Sequence, residues 1–387
     1  MQINIGPVSV EFSELERLLE GCVQKFYKHN NPFNGVTEVS IQKALTTVLY
    51  YLLNDRLTEG VGKGGWGKSE KNYAYDVYGK EAANMAEDSI TTSALAILGI
   101  EQYIALLREY GQEGCGRALV EAWESRWPEI DVYLKNRWNE RIGWGGVIFY
   151  GGHELEQGIR PSYRHTAWLL RLWLKLPHHL YVERAKKTAK YFIESYQNYD
   201  WAQEKAFTSI VAHSTLTELK RCEWLTHILD MGQIMFLQEF FEKEIIDKYD
   251  YQFDGWVSGS NHEIGRQSYT LSAMCEMPYI FEDTNSDLNR KFQKAWNETL
   301  FGKWKSKDGI GIPKQLGGPS DINLSCLAVS ALMRRKELSK KEKIFLSDTG
   351  SYLINLFANK SQEALKGTYS WTLGYLLHDM CQFIGSR

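Results

Sequence analysis

The chain has 387 residues, 43% hydrophobic and 24% charged, which is ordinary globular usage and excludes a disordered chain. Its net charge of −3 excludes a protein whose main task is to neutralise phosphates, so no nucleic-acid partner is expected. Aromatic residues are abundant, with 13 Trp and 22 Tyr, enough to fill a large core or line a cavity for a flat or apolar guest.

The opening stretch, MQINIGPVSVEFSELERLL, lacks a basic start followed by an apolar run and does not read as a signal peptide. Ser13-x-x-Glu16 starts a helical pattern over 11–29, and residues 1–35 are expected to form a helical extension. Helical periodicity then covers 38–55, 84–110, 115–137, 162–176, 181–198, 204–226 and 228–248. It resumes over 265–281, 285–300, 320–336, 340–358 and 366–384, with Ser339-x-x-Glu342 as a second capping box. Sustained two-residue alternation is scarce. Apolar runs such as SALAILGI are about half the length needed to cross a bilayer, so no transmembrane segment is expected. The cysteines (Cys22, Cys115, Cys222, Cys275, Cys326 and Cys381) form no C-x-x-C pair, as in a cytoplasmic protein with reduced thiols. No linker rich in Pro, Gly or Ser marks a boundary, so 1–387 is expected to be one domain.

Six of these segments share a pattern in which a small hydroxyl residue opens an apolar stripe. They are SITTSALAIL, YRHTAWLLRL, AHSTLTELKR, QSYTLSAMCE, INLSCLAVSA and TYSWTLGYLL. The hydroxyl falls at Thr92, Thr166, Thr215, Thr270 and Ser325; the sixth copy has Trp371, with Ser370 beside it. More charged amphipathic helices lie between them. Helices apolar on most of their surface are buried, whereas one-striped helices face water, so six of each give an inner ring wrapped by an outer ring. The expected fold is an all-α α/α-toroid of six inner and six outer helices with an extra N-terminal helix. Connections into the inner helices are long and carry Trp66, Trp144, Trp201, Trp256 or Trp304, and long loops gathered at one end are where function usually sits.

The elements GGWGKSEKNYAYDVYG with SITTSALAIL, and FGKWKSKDGIG with DINLSCLAVSAL, resemble the prenyltransferase and squalene-oxidase repeat. The resemblance covers about residues 60–384 and implies the toroid of terpenoid cyclases and prenyltransferase β subunits. Their chemistry does not carry over. The Asp-x-Asp-Asp acid of class II cyclases falls on Ser89, Ile90, Thr91 and Thr92, where no carboxylate stands. The zinc-binding Asp-x-Cys of prenyltransferase β subunits is missing, as are the thioester signature and the Cys and His pattern of lanthionine cyclases.

If the inner helices start at one mouth, residues just before the hydroxyls line it: Glu87, Asp88, Arg164, His165, His213, Arg266, Gln267, Asp321 and Asn323. Helix N-termini add partial positive charge, so an anionic group is a natural guest. Asp88 and Asp321 fit either helix caps or a catalytic acid and base raised by burial. Arg164 and Arg266 fit either ligand contacts or pairing with those carboxylates. Trp168, Trp173 and Trp371 fit a cavity wall, while the loop tryptophans fit packing anchors between repeats. His153, His213 and His262 lack metal-ligand spacing, so neither a metal nor another cofactor is expected.

The missing catalytic motifs favour a binding protein that recognises a small molecule or peptide in the central cavity, or a protein partner on the loop face. The alternative is an enzyme acting on an isoprenoid or other apolar substrate, with Asp88 or Asp321 as general acid. A glycan enzyme would need an open groove with two carboxylates about 5–9 Å apart.

Overall fold

The computed structural model describes residues 2–5, 8–54, 63–66, 90–111, 113–141, 146–147, 150–151, 154–155, 160–176, 179–202, 204–226, 229–256, 270–277, 285–303, 305–315, 317–359 and 368–385. Helices dominate, in line with an all-α chain. Contacts divide the chain into two compact units, 1–133 with 308–311 and 320–387, and 134–307 with 312–319.

The N-terminus departs from the expected single helix over 11–29. Gln2–Ile5 (β1) and Val8–Glu11 (β2) form an antiparallel hairpin with Ile3 opposite Val10. These short stretches alternate apolar with polar residues across Gly6-Pro7, so Ile3, Ile5 and Val10 are buried together. The helix that follows is two: Phe12–Leu18 (α1) and Glu20–Asn30 (α2), broken at Leu19 with φ −94° and ψ 5°. The pattern over 115–137 also splits, into Cys115–Glu124 (α5) and Trp127–Asn136 (α6). Pro128 causes no break, because the first turn of a helix has no partner for its missing N–H.

In the first unit the long helices are Glu38–Asn54 (α3) and Ile90–Tyr110 (α4), with Ile322–Arg334 (α12), Lys340–Asn359 (α13) and Ser370–Gly385 (α14) from the far end of the sequence. The largest helix-to-helix contact in the unit joins α4 to α14. It depends on two glycines. A Cβ on Gly99 would stand 2.6 Å from the Gly374 carbonyl oxygen, and one on Gly374 would stand 2.5 Å from the Leu95 backbone. Leu106 meets Gly385 further along, so the two helices run parallel. α12 and α14 are parallel as well: Asn323 reaches the chain just before α14, and Arg334 reaches Asp379 within it. α13 packs against α3 and α12 and keeps an exposed face.

One of these helices, α4, is long and apolar enough to cross a membrane by length and composition alone. However, 78% of its apolar window is buried inside the protein, as expected of a core helix.

The second unit is organised around Tyr163–Lys175 (α7), His179–Glu194 (α8), Ala206–Arg221 (α9), Met231–Asp247 (α10) and Asp287–Leu300 (α11). Two short ladders precede α7: Gly146–Val147 (β3) with Arg160–Pro161 (β6), and Tyr150–Gly151 (β4) with Glu154–Leu155 (β5). The Tyr163 hydroxyl donates to the Phe192 carbonyl across the α7–α8 hairpin. Tyr163, Tyr199, Trp201 and Phe241 pack edge to face or tilted around it, geometry that aromatic quadrupoles favour.

Loop tryptophans do one recurring job. The Trp66 indole donates to the Leu52 carbonyl at 2.6 Å, in the last turn of α3. The Trp256 indole donates to the Ile245 carbonyl at 2.7 Å, at the same place in α10. Trp201 does likewise to Tyr196, just beyond α8, at 2.9 Å. Each therefore satisfies a carbonyl at or just beyond a helix end, of the kind that has no partner within the helix. Trp144 and Trp304 lie outside the described residues.

Candidate functional site

Of the sequence-predicted site residues, Glu87, Asp88, Arg266 and Gln267 lie outside the described residues, as do His153 and His262. In the first unit, Asp321 is the N-cap of α12, accepting from the Leu324 N–H at 3.0 Å. Asn323 Oδ1 accepts from the Tyr369 N–H at 2.7 Å and fixes the entry to α14. Trp371 stacks on Tyr369, with ring centroids 6.2 Å apart. These three residues tie together the starts of two helices.

The repeat register needs correcting at α9. Thr166 and Ser325 are each the fourth residue of their helices and donate back to the N-cap carbonyls of Ser162 and Asp321, at 2.8 and 2.7 Å. Thr215 is the tenth residue of α9 and donates to Val211 at 2.7 Å. The counterpart four residues after the α9 N-cap, Lys205, is Ser209. His213 consequently sits about two turns inside the helix, fully buried, rather than at its start.

What remains together at a helix start is Arg164 and His165. Ser162 caps α7 through the His165 N–H, and its hydroxyl lies 2.7 Å from His165 Nδ1. Burial, with the Arg164 cation next to it, pushes the His165 imidazole well below its ordinary value, so the ring is neutral at pH 7. Arg164 itself is half-buried. Its Nε is sealed from solvent and has no hydrogen-bond partner among the described residues. Burial lowers its pKa, opposed by the nearby Glu204 and Tyr199.

Glu204 is engaged elsewhere: one oxygen accepts from the Tyr199 hydroxyl at 2.5 Å and the other from Thr208 at 2.6 Å. A desolvated cation beside the free N–H groups of a helix start favours an anion bound to it.

No family model, curated protein or solved structure matches the chain.

The rest of the second unit explains where other expected site residues went. Trp168 lies under the Arg171 guanidinium, 4.6 Å from its centroid. Arg171 in turn bridges two carboxylates, Glu218 at 2.9 Å and Glu276 at 2.6 Å, and Lys175 adds a contact to Glu218 at 3.3 Å. This buried network belongs to the far end of α7, so Trp168 is a wall of the ion cluster. Sequence spacing missed Glu204, Tyr199, Glu218 and Glu276. Only the Glu204-x-x-x-Thr208 spacing, one helical turn, offered a signal.

A catalytic acid needs a carboxyl raised by burial. Burial raises Glu101, but it is the twelfth residue of α4 and is held by the Trp123 indole at 2.5 Å and by Arg108 at 3.6 Å. It is committed to packing α5 against α4. Among the described residues no group of three or more His, Cys, Asp or Glu is placed to hold a metal ion.

Proposed function

We propose that the chain is a cytoplasmic binding protein of α/α-toroid architecture that recognises its ligand through an anionic group at the start of α7. The observation that carries this is the half-buried Arg164 guanidinium, whose Nε is sealed from solvent and lacks a hydrogen-bond partner among the described residues. A guanidinium N–H sealed from solvent without an acceptor is costly, and a ligand carboxylate or phosphate would offset that cost through charge-assisted hydrogen bonds. The neutral His165 beside it adds a polar contact without competing charge. Support for the toroid comes from the first unit, where the buried helices α4, α12 and α14 are parallel, α13 keeps an exposed face, and α14 packs along α4, far from it in sequence. Support for the cytoplasm comes from six free cysteines, four of them buried.

The test compares native mass spectra of the wild type and Arg164→Met, each purified from the natural host. The expected result is a co-purifying anionic species in the wild type that the variant lacks. The variant should also be at least as stable as the wild type, since a desolvated charge has been removed. A ligand retained by Arg164→Met, or a variant that unfolds, would refute the assignment.

A further inference from the structure

A separate cleft lies in the first unit, where α12 turns into α13. Its volume is about 630 Å³, and its floor is formed by Leu332, Leu338, Leu346 and Phe383. A smaller hollow of about 250 Å³ shares Arg335, Lys336 and Phe383 with it. The volume falls within the range of small-molecule sites.

The cations at its edge differ in what they have to do. Arg335 is paired with Glu342, which also closes the capping box of α13 through the Ser339 N–H at 2.8 Å. Arg334, lining the smaller hollow, is held by the buried Asp379 at 2.8 Å. Lys336 and Lys343 are exposed, and neither has an ion-pair partner among the described residues. Opposed only by Glu337, they leave the cleft with a single net positive charge. That balance matches a monoanion better than a phosphate dianion, and the apolar floor requires more than a bare ion.

We infer that this cleft binds a small amphipathic carboxylate, with a short aliphatic body on Leu338, Leu346 and Phe383 and the carboxylate between Lys336 and Lys343. An ammonium is a compact point charge that suits a single carboxylate without demanding bidentate geometry. The inference is independent of the Arg164 site.

The experiment is a calorimetric titration of the full chain with octanoate, octyl glucoside and acetate. Octanoate should bind, whereas octyl glucoside and acetate should each bind at least tenfold more weakly. In Lys336→Glu/Lys343→Glu, octanoate affinity should fall about tenfold or more, as expected when two exposed attractions become repulsions. Circular dichroism and the melting temperature should be unchanged, because both side chains are exposed. Flotation with phosphatidylglycerol vesicles separates a soluble ligand from a lipid surface, and no flotation is expected. Absent octanoate binding, equal affinity for octyl glucoside, undiminished binding by the double variant, or binding to vesicles alone would each overturn the inference.

Discussion

His213 links the stability of the second unit to pH. Burial, with a smaller contribution from the Lys220 cation, pushes this imidazole down to about 3, from an ordinary value of 6.5. Between those values the unfolded chain binds a proton that the folded chain does not, so stability is full above pH 6.5 and falls as pH drops toward 3. Each pH unit in that window is worth about 1.4 kcal/mol, or about 2 kcal/mol by pH 5 and ~5 kcal/mol over the whole span. His165 acts in the same direction. Urea unfolding of wild type and His213→Gln, followed by tryptophan fluorescence at pH 8, 7, 6 and 5, reads the effect as a difference in slope. The variant can differ in stability at pH 8 without affecting the result, since exposed histidines and carboxylates cancel between the two proteins. Parallel curves of stability against pH would refute the reasoning and mean that His213 titrates normally in the fold.

Further perturbations follow from the packing. Gly374→Ala places a methyl against the Leu95 backbone, which has no rotamer to yield, and should cost about 1–3 kcal/mol or more, read from the urea midpoint. At Asp379, burial works to raise the carboxyl, but Arg334, His378 and Ser330 hold it at about 2. Asp379→Asn strands the guanidinium and should cost about 3–5 kcal/mol at pH 7; it should also remove the wild type's loss of stability between pH 4 and 2, measured by acid titration of circular dichroism. Trp256→Phe keeps a ring but leaves the Ile245 carbonyl without its donor, and should lower stability by about 1–3 kcal/mol in thermal unfolding. Asp321→Ala should cost about 1 kcal/mol in the same assay, whereas Asp321→Asn should be nearly silent, because Asn also caps.

The long helices were legible because their apolar period persists over many turns. The hairpin at 2–11 was not: two four-residue strands give too little alternation to stand out from the helical signal that follows. The error at α9 has a local cause. The run AFTSIVAHST offers hydroxyls at Thr208, Ser209, Ser214 and Thr215, so two registers compete. Ser162 and Asp321 mark their helix starts with capping side chains, but Lys205 makes no such bond. Arg164 and His165 could be placed at a helix start from sequence. Glu204 and Tyr199 could not, because they sit in a connection that only tertiary packing brings to α7. The Arg171, Glu218 and Glu276 cluster joins α7, α9 and a turn at Glu276, which no linear spacing encodes.

The tryptophans that fasten two of the long connections, Trp66 and Trp256, have an evolutionary corollary. Leu52 and Trp66 are 14 residues apart and Ile245 and Trp256 are 11 apart, yet both indoles close on the third residue from the end of the preceding helix. A fastening that tolerates unequal spacers frees the intervening sequence from the scaffold. Insertions and substitutions between helix end and indole can then accumulate without loosening the frame.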